Sequence, residues 1–242
     1  ESGLVLNKQE HLAAITGLET GKAKGTYLER VLKERLPLKD LLAYDLFLHP
    51  IEPARLCGEH HELLSSYRID NLVSAHASLW GFLHAKSPDK SLIKAAVFWD
   101  SEEIGSNTAQ GAGSPFLPQI IERVALALKI PREEYLSWSP RSLCLSIDVG
   151  HAVHPSYSDK HEPRHAALLS KGVLIKSSAQ NRYSSDARSF AAVAALCKKH
   201  KIPCQKYVAR GDIPCGSTVG PIHANLTGMP TIDIGIPQLS MH

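Results

Sequence analysis

Apolar residues recur along this chain in two rhythms. From Asp70 the stretch "DNLVSAHASLWGFLHA" carries Leu72, Val73, His76, Leu79, Trp80 and Leu83 at spacings of three, four and seven. That is one face of an amphipathic helix, with Asp70 at its start as an N-cap. Continuous apolar runs bounded by turn residues read as buried strands: "LIKAAVFWD", "SLCLSIDVG", "GVLIKSS", "CQKYVAR" and "MPTIDIGI". Between them "SPFLPQIIERVALALK", "SDARSFAAVAALCKKH" and "VGPIHANLTG" read as helices, the second capped by Asp186. The alternation predicts an α/β layered sheet with helices on both faces.

The first forty residues differ from this pattern. "NKQEHLAAI" and "TYLERVLKERL", joined by "TGLETGKAKG", predict helix, loop and helix, rich in Lys, Glu and Leu. "LLAYDLFLHPIEPARL" then shifts to an extended pattern that Pro50 and Pro53 terminate, which places a domain boundary near residue 40.

Composition narrows the function classes. The 242 residues are 43% hydrophobic, enough for one sizeable core with a smaller appendage. Twenty-seven Lys and Arg are interspersed with 24 Asp and Glu, so no basic stripe points to nucleic acid. No run approaches the roughly 20 apolar residues of a membrane span, and no basic-then-apolar leader opens the chain. The expectation is a cytoplasmic protein with no membrane partner. Cys57, Cys144, Cys197, Cys204 and Cys215 are odd in number and include no Cys-x-x-Cys pair, so they read as reduced core thiols rather than a disulfide framework or zinc ribbon.

The candidate chemistry lies at strand ends, where open α/β sheets place their ligand crevice. "VFWDSEEIGSNTAQGAG" (97–113) sets Asp100, Glu102 and Glu103 almost side by side, and "SIDVGHAVHPSYSDKH" sets Asp148 before His151 and His154. Asp100 and Asp186 read as turn and cap residues, and His60 and His61 as an exposed turn. Clustered acids are expensive to bury unless a cation compensates them. With Asp70 and His242 they supply oxygen and imidazole donors that suit zinc, manganese or cobalt. If Glu103 holds an ion, its neighbour Glu102 can point the other way and act on water as general base. A glycosidase pair fails on geometry, because adjacent residues in an extended segment point apart.

The ordered motifs "SYRIDNL", "WDSEEIGSNTAQGAGSPFL", "SIDVGHAVHPSYSDKHE", "GVLIKSSAQNRYSSDA", "RGDIPCGSTVGPI" and "DIGIPQLSMH" resemble the successive signatures of the aspartyl aminopeptidase family, from residue 7 to the last. The resemblance implies a zinc-exopeptidase-like fold, a three-layer α/β sandwich with a central mixed β-sheet. Residues 1–40 would be the remnant of an inserted dimerisation domain, and 41–242 the metallopeptidase catalytic domain without its two ends. It implies a cofactor of two divalent ions, zinc above manganese or cobalt, and removal of an N-terminal Asp or Glu from peptides.

Carried over residue by residue, Asp70 matches the bridging ligand, Glu103, Asp148 and His242 match single-metal ligands, and Glu102 matches the general base. Lys176 and Tyr183 resemble substrate-pocket residues, where the lysine would pair with an acidic side chain. Gly216, Ser217 and Thr218 sit at a loop-to-helix junction suited to an anion. His154 would orient a ligand. The family's first metal-binding histidine lies in a portion that these residues do not contain, and none of His11, His49, His60 or His61 replaces it. The resemblance also implies a homo-oligomer, dimers assembling to a dodecamer. Two alternatives stand beside it: a catalytically incompetent fragment or structural subunit of the oligomer, and an aminopeptidase for neutral N-terminal residues.

Overall fold

The computed structural model describes every residue except 1–2, 19–20, 22–23, 87–88, 90 and 242. The chain divides into two units, Glu1–Ile51 and Glu52–His242. In the first unit, the short helix α1 (Lys8–His11) begins where the Asn7 side chain accepts from the amides of Gln9 and Glu10. Helix α2 (Tyr27–Arg35) is set by a reciprocal cap: Glu29 N–H donates to Thr26 Oγ1 at 3.3 Å, and Thr26 N–H donates to Glu29 Oε2 at 2.8 Å.

The second unit opens with an antiparallel pair, β1 (Arg55–Cys57) and β2 (Leu63–Ser65), whose connection carries Gly58 and His61 at positive φ. His60 and His61 are exposed in it, as a turn. Helix α3 (Ile69–His84) follows, then α4 (Phe116–Ala127) and α5 (Arg132–Leu136). The remaining elements are β3 (Cys144–Ile147), β4 (Gly150–His151), β5 (Val173–Ser177), α6 (Ala187–Lys199), β6 (Cys204–Val208), α7 (Val219–Thr227), β7 (Thr231–Gly235) and β8 (Pro237–Gln238).

The central sheet has the order β3-β7-β5-β6 and is mixed: β3 with β7 and β5 with β6 are parallel, β5 with β7 antiparallel. Helices flank it, so the expected α/β architecture is present. Its core is Ile175 and Ile232 packed against Val193 and Cys197 of α6, with Phe190, Ala194 and Ile234 around them. A fully buried side chain such as Ile175, Ile232 or Val193 contributes about 1.5–3 kcal/mol by leaving water. The strand runs lack a polar alternation because β5 and β7 are buried on both sides. Two charged residues interrupt that burial, Lys176 at 1% exposure and Asp233 at 0%.

Four expectations are corrected. "LIKAAVFWD" forms no strand: backbone groups of residues 93–99 hydrogen-bond to no described residue. An apolar run gives a strand's composition, but a strand needs a paired neighbour. Asp70 lies in the first turn of α3 rather than at its cap, which is Arg68. The apolar face of α3 forms, yet Leu72, Trp80 and Leu83 on it are 58–67% exposed. Of the cysteines, all free, only Cys197 is buried, and Cys57 and Cys204 are exposed.

Candidate functional site

The acids of 97–113 are presented by a tight loop, not by a strand end. Asp100 N–H donates to the Gln110 carbonyl at 3.3 Å, and Gly113 N–H to that of Ser106 at 3.0 Å, which ties the two limbs of the loop together. Between them Glu102–Ile104 form a single 3₁₀ turn flanked by Ser101 and Gly105, both at positive φ. The glycines answer to space: a Cβ on Gly111 would stand 2.4 Å from the Ser106 carbonyl oxygen. The small residues after the acids therefore close the loop that carries Glu102 and Glu103.

Asp148 follows β3, its N–H donating to the Ile234 carbonyl at 3.0 Å. The strands run so close here that a Cβ on Gly235 would lie 1.7 Å from the Asp148 carbonyl oxygen. Asn71, in the first turn of α3, donates from Nδ2 to the Ile147 carbonyl at 2.9 Å, which fixes the Asp70 turn beside the end of β3. Neither packing feature is visible in the spacing of acids along the chain.

The acids gather electrostatically around Glu102. Its carboxyl is pushed up to about 7, first by burial and then by the negative charges of Asp148, Glu103 and Asp70, with Lys176 opposing. Lys176 Nζ donates to the Val149 carbonyl at 2.6 Å and lies 3.5 Å from Asp148 Oδ2. Burial pulls its ammonium below the usual lysine range, while Asp148 and Asp233 act in the other direction. Nζ also sits 5.3 Å from the centre of the Tyr183 ring, so Lys176, Asp148 and Tyr183 form one contiguous group.

The remaining predicted residues divide. Gly216 and Ser217 are exposed, and Ser217 Oγ donates to the Arg182 carbonyl at 3.1 Å, linking their loop to the Tyr183 loop. Thr218 is buried and caps α7, its Oγ1 accepting from Gly220 N–H while donating to Asp233 Oδ1 at 2.6 Å. His154 accepts at Nδ1 from Ser156 N–H at 3.1 Å, as the cap of the Pro155–Lys160 turn, and has no hydrogen bond with Asp148. His242 lies outside the described residues.

Asp233 escaped sequence reasoning. Besides Thr218 it accepts from Ser184 N–H at 2.5 Å, so one fully buried carboxylate anchors both the 183–186 loop and the start of α7. The signal was available: an aspartate in the middle of "TIDIG", a strand otherwise apolar, is a buried charge that requires partners.

The donors fit a divalent cation in chemical kind and in charge, since four neighbouring carboxylates face a single buried lysine, and the other three raise the cost of ionising Glu102. They are not drawn together as a preformed cage: among the described residues, no three His, Cys, Asp or Glu side chains converge on one ion position.

The sequence profile of the family described as "Aminopeptidase I zinc metalloprotease (M18)" matches residues 2–242. The chain belongs to the M18 aminopeptidase family. It is 39% identical over 240 residues to a protein of Mycobacterium leprae named probable M18 family aminopeptidase 2, covering 99% of this chain and 55% of that one. Among solved structures it resembles an M18 aminopeptidase of Thermotoga maritima, with a TM-score of 0.70, 26% identity, and coverage of 80% of this chain and 44% of that one. It also resembles the mApe1 dodecamer of yeast, with a TM-score of 0.68, 25% identity, and coverage of 79% and 43%. The chain thus spans about half the length of the M18 relatives it matches. Among the described residues no helix is long and apolar enough to cross a membrane.

Proposed function

We propose that this chain supplies the main part of the catalytic domain of a zinc aminopeptidase, which removes the N-terminal residue from peptides. Residues 1–40 are the remnant of an inserted dimerisation domain and 41–242 the metallopeptidase part. The observation that carries the reading is Glu102, a half-buried carboxyl at about 7 among Asp70, Glu103 and Asp148, in a chain of a zinc metalloprotease family.

In this reading Asp70, Glu103, Asp148 and His242 hold two divalent ions, zinc in preference to manganese or cobalt. Zinc, when bound, polarises the scissile carbonyl and acidifies water. Glu102 takes a proton at its carboxylate oxygen and returns it to the departing amine. Lys176 steadies Asp148 from beneath. Tyr183 and the Gly216–Thr218 loop, joined through Ser217 and Asp233, border the substrate, and His154 stands at the outer edge.

Preference for an N-terminal Asp or Glu rests on Lys176 and Tyr183. A preference for neutral residues is favoured by one observation: Lys176 is 1% exposed and already engaged with Val149 and Asp148. The yeast neighbour is a dodecamer, which supports a homo-oligomer of dimers for the whole protein. A calorimetric zinc titration tests the site. Two ions bound, with one lost in Asp148→Asn and in Glu103→Ala, is the expected result. Binding of one ion or none favours a structural subunit instead.

A further inference from the structure

The end of α6 and the start of β6 bring two thiols together. Strands β5 and β6 pair in parallel, with Val173 opposite Cys204 and Ile175 opposite Lys206. Paired residues of neighbouring strands share a face, and so do residues two apart on one strand. Ile175 packs on α6, so Cys204 and Lys206 stand on the face that α6 covers. Lys206 agrees with this placement, its Nζ 5.9 Å from the centre of the Phe190 ring in α6. Cys197 follows Phe190 by two turns along the same side of α6, and both lie in the core around Ile175. The helix runs back against the two strands it joins, so its last turn meets the first residue of β6. Ile202 N–H donates to the Cys197 carbonyl at 2.8 Å, which folds the short connection back. The Cys197 and Cys204 side chains are hydrogen-bonded to one another as a result.

The two sulfurs occupy unequal positions. Cys197 is 6% exposed, whereas Cys204 is open to solvent. Burial first, and then the neighbouring Cys204 sulfur, push the Cys197 thiol up from its ordinary range. A reagent in solution must therefore meet Cys204 before Cys197. Around Cys204 the chain is basic: Lys198, Lys199, His200 and Lys201 precede it and Lys206 follows, all of them exposed. No acidic residue occurs between Asp186 and Asp212. Such a patch draws a reagent of negative charge. The other cysteines, Cys57, Cys144 and Cys215, belong to β1, β3 and the loop before α7.

We propose that Cys197 and Cys204 are a redox modification site, at which an anionic small-molecule disulfide converts the thiol pair into an internal disulfide that ties α6 to β6. The Cys204 thiolate attacks one sulfur of the reagent, forms a mixed disulfide and expels one small thiolate, which takes up the proton that Cys204 released. Cys197 then attacks the Cys204 sulfur, expels the second small thiolate and passes its own proton to it. Two protein thiols are oxidised and the reagent is reduced to two thiols, so no other oxidant enters. Strand β6 is the last in the order β3-β7-β5-β6, so its first residue can shift toward α6 while its ladder with β5 is kept. Neither thiol takes part in the aminopeptidase reading, which stands or falls separately.

Oxidised glutathione is the probe. The folded chain is incubated with it, remaining thiols are alkylated, and the product is digested with trypsin in the absence of reductant. Trypsin cuts after Lys198 and Lys201, between the two cysteines, so a disulfide holds peptides 189–198 and 202–206 together. The expected product is that linked pair, about 2 Da lighter than the two free peptides combined, and dithiothreitol separates it. Cys57, exposed on β1, keeps the glutathione it acquires. In Cys197→Ala the reaction stops at the mixed disulfide on Cys204. In Cys204→Ser, a change at an exposed side chain, Cys197 reacts at least ~10-fold more slowly than Cys57. Closure of the pair slows as salt is raised. A mixed disulfide that persists on Cys204 of the parent chain, linkage of Cys204 to Cys57 instead, or Cys197 reacting as fast as Cys57 in Cys204→Ser would each overturn the proposal. A rate indifferent to salt would overturn the choice of an anionic reagent.

Discussion

Lys176 lies beneath Asp148, its Nζ 3.5 Å from Oδ2 and bonded to the carbonyl of the next residue, Val149, at 2.6 Å. A lysine so placed serves the fold around Asp148 before it serves any ligand. Lys176→Met leaves a buried carbonyl without its donor and Asp148 without its cation, which costs about 1–3 kcal/mol. Thermal unfolding of the metal-free variant should show a loss of about 2–4 °C for each kcal/mol. An unchanged Tm would mean that the bond contributes nothing.

Asp233 gives a second stability prediction. Asp233→Ala strips partners from Ser184 N–H and Thr218 Oγ1 at once. Bonds to a buried carboxylate are worth about 1.5–3 kcal/mol each. The variant should lose several degrees of Tm, and the Ser184 amide should exchange faster while amides of β6 keep their protection. Thr218→Val should lose about half as much.

The pH dependence follows from Glu102. Its carboxyl stands at about 7 in the fold against an ordinary 4.5. A raised carboxyl pKa favours the fold in its protonated form, so the contribution is complete below about 4.5 and is lost as pH rises through 7. The Tm of the metal-free chain relative to Glu102→Gln should therefore fall between pH 5 and pH 8, and saturating zinc should remove the fall. A constant difference across that range would contradict the crowding of acids around Glu102.

Much of this arrangement is legible in the amino-acid sequence. The strands β3, β5, β6 and β7 and the helices α4, α6 and α7 fall where apolar runs, helical spacing and caps such as Asp186 place them, because each follows from local pattern. Asp70, Glu102, Glu103 and Asp148 were singled out as acids at element ends, and the fold brings them into one electrostatic neighbourhood. What pattern could not reveal depends on contacts across the chain. The 93–99 run has strand composition but no backbone partner among the described residues. The Glu102 turn is shaped by Gly111 meeting Ser106, five positions away. Lys176 resembles a substrate-pocket cation in "GVLIKSS" but lies inside, bonded to the Val149 carbonyl and beside Asp148. Asp233 is a single acid within "TIDIG", and its partners Ser184 and Thr218 lie 49 and 15 positions away.

Catalysis supplies the last test. The zinc-loaded chain, alone and joined to the complementing half of an M18 relative, is assayed on anilides of aspartate, glutamate and leucine beside Glu102→Ala. Hydrolysis by the parent should fall about 10²–10⁴-fold in the variant while its zinc content stays the same. Undiminished hydrolysis by Glu102→Ala, or none by the parent in either form, would contradict an aminopeptidase site in which Glu102 moves the proton.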